Sequence, residues 1–176
     1  MTVRTIVIMG VPQLIAGAKN VVDFQDPSLL QLIQDLQDTQ RHFSGAGLAA
    51  PQIGVNLRVI VFGFESCSRY PQREPIEETV LINPEYQPIS QQQALDWEGC
   101  LSVPGLRGVV SRYQKIVYTG LDLTGRHIER TAEGFHARVV QHEIDHLDGF
   151  LFVQRLHDPR WFGFEDVLDF DQTLSD

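Results

Sequence analysis

The chain has 176 residues, 43% hydrophobic and 21% charged, values that exclude a disordered polymer and suit one globular domain with length enough to bury a core. Its formal net charge of −9 argues against nucleic acid as the main partner, because phosphate binding needs a basic face. No apolar run approaches the roughly 20 residues that span a bilayer, and MTVRTIVIMGVPQ reads as neither signal nor transit peptide, so a cytoplasmic setting without membrane contact is expected.

Asp26-Pro27 predicts a helix start, with Asp as N-cap and Pro in the first turn. Leu29, Leu30, Ile33, Leu36 and Phe43 recur at spacings that place them mostly on one helix face. Gly45 and Gly47 follow as breakers. LRVIVFGF (57–64) is β-branched and aromatic and reads as a strand. SCSRYPQREPIEE (66–78), polar with two prolines, reads as a surface excursion. VLIN (80–83) and DWEGCLSV (96–103) predict two more strands. QKIVYTGLDLTGRHIERTA predicts a hairpin turning at LTGR. The tail from His157 onward is acidic and aromatic. Strands outnumber helices without βα alternation, so the expected class is α+β with mostly antiparallel sheets in a single domain over 1–176.

QHEIDHLDG (141–149) carries the chemistry. On an ideal helix over 135–148, Phe135, Val139, His142 and His146 form one stripe, while Arg138, Gln141, Asp145 and Asp148 form a polar one. Glu143 falls among apolar residues, where an unpartnered carboxylate is costly unless a cation or an activated water lies beside it. HExxH on a helix signals two metal ligands and a base. Gly149 is a left-handed cap. A catalytic metal usually takes three protein ligands. A histidine six residues after His146 is excluded, because that position is Phe152. Glu165, downstream, and Cys100, upstream in WEGCLSVPG, both remain. Cys67 reads as an inert thiol.

GAGLAAPQ (45–52), EGCLS (98–102) and QHEIDHLDG (141–149) together resemble the three signature motifs of the peptide deformylases, in family order. VPGLRGVVSRY and GFHARVVQHE resemble the branch that includes organellar enzymes, although that branch usually has Trp where this chain has Phe135. The resemblance implies a metal site of Cys100, His142 and His146. It implies Fe2+ as the physiological ion, with Zn2+, Ni2+ or Co2+ as substitutes. The implied reaction is hydrolysis of the N-formyl group from the initiator methionine of new polypeptides, releasing formate. A metal-activated hydroxide would attack the formyl carbon. Glu143 would serve as general acid and base, and the Gln52 amide with the Leu101 N–H would face the developing oxyanion. Phe135 and Val139 would line a methionine pocket. Gly45 and Gly47 would let a peptide approach a strand edge, and Arg107 matches a commonly basic family position. Many bacterial relatives end in a basic helix, whereas this tail is acidic, which weighs against charge-driven docking on ribosomal RNA; proximity to the ribosome is still expected. WFGFEDVL is expected to fold back on the domain or to meet a second copy in a homodimer. Two rival readings are a zinc endopeptidase with Glu165 as third ligand and an inactive binding module.

Overall fold

The computed structural model describes residues 2–170, in which two α-helices and eight strands build two antiparallel sheets. Helix α1 (Pro27–His42) starts as expected, with the Asp26 carboxylate accepting from the Ser28 N–H. It buries Leu29, Leu32, Ile33 and Leu36. Leu30 is instead 64% exposed and Phe43 38% exposed: the spacing that defines the face, i, i+3, i+4, i+7, includes Leu32 and leaves Leu30 about 100° away. The helix does not end on a glycine. Ser44 takes the left-handed conformation at φ 51°, and neither Gly45 nor Gly47 has a positive φ.

The larger sheet runs β1-β2-β3-β6-β7, from β1 (Gly47–Ala49), β2 (Val59–Phe64), β3 (Ile76–Pro88), β6 (Lys115–Leu121) and β7 (His127–Glu133). Every residue of β2 is buried, because the strand is covered on both faces. Val59 and Val61 pack with the apolar face of α1. Ile60, Phe62 and Phe64 pack with Val139, Val140, Ile144 and Leu147 of the second helix, α2 (Gly134–Leu147). The hairpin β6–β7 forms in the expected place, with Lys115 opposite Glu133 and Leu121 opposite His127. The excursion after β2 ends sooner than expected: β3 begins at Ile76, which is buried and pairs with Phe64.

The smaller sheet is β4-β5-β8, from β4 (Gln93–Cys100), β5 (Val103–Tyr113) and β8 (Phe162–Phe164). The strand expected at 96–103 is thus two strands meeting at a tight turn, and residues 104–113 form a strand that the apolar pattern does not reveal. That strand contains Pro104, Gly105 and Gly108, and it buries Arg107 and Arg112 where an apolar residue would normally stand. The tail folds back. Strand β8 pairs with β5, and Trp161 and Phe170 set their rings against Trp97 at 6.4 and 5.3 Å. Residues 171–176, the end of the acidic tail, lie outside the described residues.

Helix α2 lies between the sheets, and most of its polar stripe is buried. Arg138, Gln141 and Asp145 are all buried. Gln141 pairs with the backbone of Tyr113 in both directions, at 2.9 and 3.1 Å. Arg112 of β5 donates to both oxygens of Glu98 on β4, at 2.9 and 3.0 Å, and to Asp145. Arg138 donates to Glu98 at 2.7 Å and to the Val110 and Ala94 carbonyls. Gly149 closes the helix at φ 84°, and a Cβ there would lie 2.8 Å from the Ile15 carbonyl oxygen. Removing one member of a buried ion network strands its partners. Arg112→Met is therefore expected to lower the unfolding free energy by about 3–5 kcal/mol. Urea unfolding measures this, and a loss under about 1 kcal/mol would show that the network does not hold the helix in place.

Candidate active site

The last residue of β4 and one face of α2 meet at a single point. The Cys100 sulfur, one ring nitrogen of His142 and one of His146 lie within 4.8 Å of one another. Cys100 Sγ is 3.2 Å from His146 Nε2. A tetrahedral ion held at 2.3 Å from sulfur and about 2.1 Å from nitrogen places its ligand atoms about 3.6 Å apart, so this donor set fits one divalent metal. The two histidines present ligands together because they stand one turn apart on α2, rings 5.0 Å from centroid to centroid.

Local electrostatics favours the ligand form of the thiol. Burial raises the Cys100 pKa, but His146 and His142 beside it more than offset this and hold it well below the ordinary thiol range. His142 Nδ1 lies 2.9 Å from Glu98 Oε2. The carboxylate can only accept, so Nδ1 carries the proton and Nε2 is left for the metal. Burial alone would raise the Glu98 carboxyl; Arg112 and His142 hold it well below the usual range instead. Sequence reasoning missed Glu98. Its only signal there is an acidic residue inside a β-prone stretch, two residues before the cysteine.

Glu143 is 4% exposed, and its Oε2 has no hydrogen-bond partner among the described residues. Desolvation is the main cause that lifts its pKa to about 7, against the pull of the two histidines. Gly47 lies against it: a Cβ on residue 47 would stand 2.5 Å from Glu143 Oε1 and 2.8 Å from its Cγ. The glycine thus makes room for the glutamate. Gly45 is similarly close-packed, with a Cβ there 3.1 Å from the Gly47 carbonyl oxygen.

Gln52 sits in a short 3-10 turn, Ala50–Ile53, and is buried. Its Oε1 accepts from Ala49 N–H at 2.8 Å, which fixes the amide so that Nε2 points to Cys100 Sγ at 3.4 Å and Ser102 Oγ at 3.2 Å. Leu101 follows Cys100 at the turn into β5. Gly45, Gly47, Gln52, Leu101, Phe135 and Val139 all line one cleft with Cys100, His142 and Glu143. Arg69, Tyr70 and Trp97 line it too, and the first two belong to the excursion read as mere surface. Arg107 does not line this cleft. It binds Glu165, at 2.8 Å through Nε and 2.6 Å through Nη2, beside a neighbouring cavity. Glu165 is therefore committed to an arginine and is absent from the ligand cluster. A buried Cys-His-His set, an unpartnered carboxylate beside it and a fixed amide donor suit hydrolysis of a small acyl group.

Comparison with known proteins agrees. The family model for polypeptide deformylase matches residues 3–161. Peptide deformylase 1 of Nitrosomonas europaea is 51% identical over 174 residues, 99% of either chain. Peptide deformylase 2 of Ralstonia nicotianae is 54% identical over 166 residues, 94% of either chain. Among solved structures, a Met-Ala-Ser-bound class I type b peptide deformylase from Acinetobacter baumannii superposes with a TM-score of 0.84 at 37% identity, covering 88% of this chain and 99% of that one. The Thermotoga maritima peptide deformylase gives 0.78 at 34% identity, covering 90% and 100%. The chain belongs to the polypeptide deformylase family, and it is a metal-dependent hydrolase that removes the formyl group from the N-terminal methionine of nascent polypeptides.

Proposed function

We propose that deformylation in this protein rests on Glu143 as the proton carrier beside a metal held by Cys100, His142 and His146. The observation that carries this is the buried, unpartnered Oε2 of Glu143, one residue along the helix from His142. Iron(II) is the ion we assign, since a thiolate and two imidazoles suit it; zinc, nickel and cobalt suit the same donors. Such an ion supplies Lewis acidity that makes water nucleophilic at neutral pH. Glu143 takes the proton of the attacking water and gives it to the departing amine, which must leave neutral. A pKa near 7 suits both halves of that transfer. Gln52 Nε2 and the Leu101 N–H receive the charge that develops on the formyl oxygen. Losing one such donor typically costs about 2.7–4 kcal/mol of transition-state stabilisation.

Substrate placement follows from the sheets. Strands β1 and β4 are both edge strands, and residues of each line the cleft. An extended peptide can pair with these free edges, its methionine side chain against Phe135 and Val139. The substrate is the start of a new chain, so the work is done near the ribosome, in the cytoplasm. Among the described residues no helix is long and apolar enough to cross a membrane.

Four measurements test this reading. Iron-loaded protein assayed anaerobically with formyl-Met-Ala-Ser is expected to release formate; none from the wild type would overturn the proposal. Glu143→Ala should lower kcat by about 10²–10⁴ while metal content stays near one per chain. Gly47→Ala, which forces the Glu143 side chain to move, should cost at least about ten-fold in kcat, equivalent to about 1.4 kcal/mol, with the metal retained. A full rate in that variant would mean that the close approach is unnecessary. Cys100→Ser should lose iron on dialysis and Glu165→Gln should keep it; the reverse pattern is what the endopeptidase reading requires.

A further inference from the structure

A second cavity, of about 390 Å³, opens beside the metal cleft, which itself holds about 40 Å³. The two share Arg69, Tyr70 and Trp97 as a common wall, so they lie side by side. The larger one is also lined by Arg73, Arg107 and Glu165. Its charges do not balance. Arg73 is paired with Asp96, and Arg107 with Glu165. Arg69 is engaged by no hydrogen bond or ion pair among the described residues. One guanidinium is left over, in a partly buried position, on a chain whose formal net charge is −9.

Resting on the deformylase reading, we propose that this cavity is a subsite for an acidic side chain on the second or third residue of the substrate, selected by Arg69. Position supports this. Cys100 and Trp97 are three residues apart on β4, a rise of about 10 Å. A peptide lying along β4 with its formyl group at Cys100 brings its second or third residue level with Trp97, which lines both cavities. Chemistry supports it as well. A carboxylate from the tail, Glu165, already sits on Arg107 inside the cavity, with that guanidinium 5.3 Å from the Tyr70 ring and 5.8 Å from the Phe170 ring. The wall therefore accommodates a carboxylate held by a guanidinium between aromatic rings. Arg69 offers the same group without an internal occupant. An Arg fork binds a carboxylate through two parallel N–H bonds, which a neutral amide or a lysine does not reproduce. The Glu165 carboxylate has an opposite effect, because it cancels the second positive charge that an acidic substrate would otherwise meet.

The test is selectivity within matched, C-terminally amidated peptides: formyl-Met-Ala-X-NH2 and formyl-Met-X-Ala-NH2, with X as Asp, Asn or Lys. In at least one series the wild type should favour Asp over Asn by about 3- to 5-fold in kcat/KM, as expected for one partly exposed ion pair, and should disfavour Lys. Arg69→Gln should bring the Asp-to-Asn ratio to about one. Glu165→Gln should raise the ratio above that of the wild type, a change of sign that a purely structural role for either residue does not produce. Added salt at 0.5 M should shrink the wild-type preference. Formate release with a flat ratio in both series, or a preference that survives Arg69→Gln, overturns the subsite and leaves deformylation standing. No formate from any peptide overturns both.

Discussion

The structure depends on one buried carboxylate. Glu98 accepts from Arg112 through both oxygens, from Arg138, and from His142 Nδ1. Those four residues come from β4, β5 and α2, so a single group ties the smaller sheet to the central helix. It also sets the tautomer of a candidate metal ligand. An isolated carboxylate at 4% exposure would abandon its charge; two guanidiniums keep it ionised, and the ionised form is the one that can orient the imidazole. Fold stability and ligand geometry are therefore two results of the same contacts. Asp145 extends the arrangement, balancing Arg112 from one side and drawing in Arg155 at 3.1 Å from the other.

Glu143 is treated in the opposite way. It lies five residues, about one and a half turns, from Arg138 on the same helix, in an equally dry place, yet no arginine reaches it. Burial, against the pull of His142 and His146 and with no guanidinium beside it, raises its pKa to about 7, a value that suits both taking and returning a proton. Two carboxylates that are equally buried thus serve different ends because of their partners alone. Keeping Glu143 free of partners also requires room, which Gly47 provides at the edge of the larger sheet. The carboxylate proposed as proton carrier is in this way positioned by a strand from one sheet, while the candidate ligand Cys100 comes from the other.

Much of this was legible in the sequence, and the exceptions share a cause. The helix bearing HEIDH, the α1 cap at Asp26, the β6–β7 hairpin and the fully apolar β2 follow from local patterns of hydrophobicity and capping. Strand β5 does not, since Arg107 and Arg112 occupy buried positions and their compensation comes from Glu165, Glu98 and Asp145, which are distant in sequence. The polar stripe of α2 gives no sign of its burial for the same reason. Ion pairs that bury charge leave no mark in a hydrophobic pattern. Arg69 and Tyr70 were hidden differently: a proline-bounded polar loop reads as surface whether or not its side chains turn back over a cleft.

The division of the site between two sheets has a further consequence. Cys100 and His146 are 46 residues apart, and their approach exists only when the smaller sheet is docked on α2. A metal bound by both favours the docked arrangement over any opened one by mass action, to the extent that the opened form cannot supply all three ligands. The Glu98 network acts at the same junction from the protein side. Weakening it should loosen the docking first and the ligand geometry with it, so that metal affinity and sheet packing change together. A ligand set confined to HEIDH on one helix would have no such dependence. With a third candidate ligand at the end of β4, the integrity of such a metal centre would report on the packing of the two sheets.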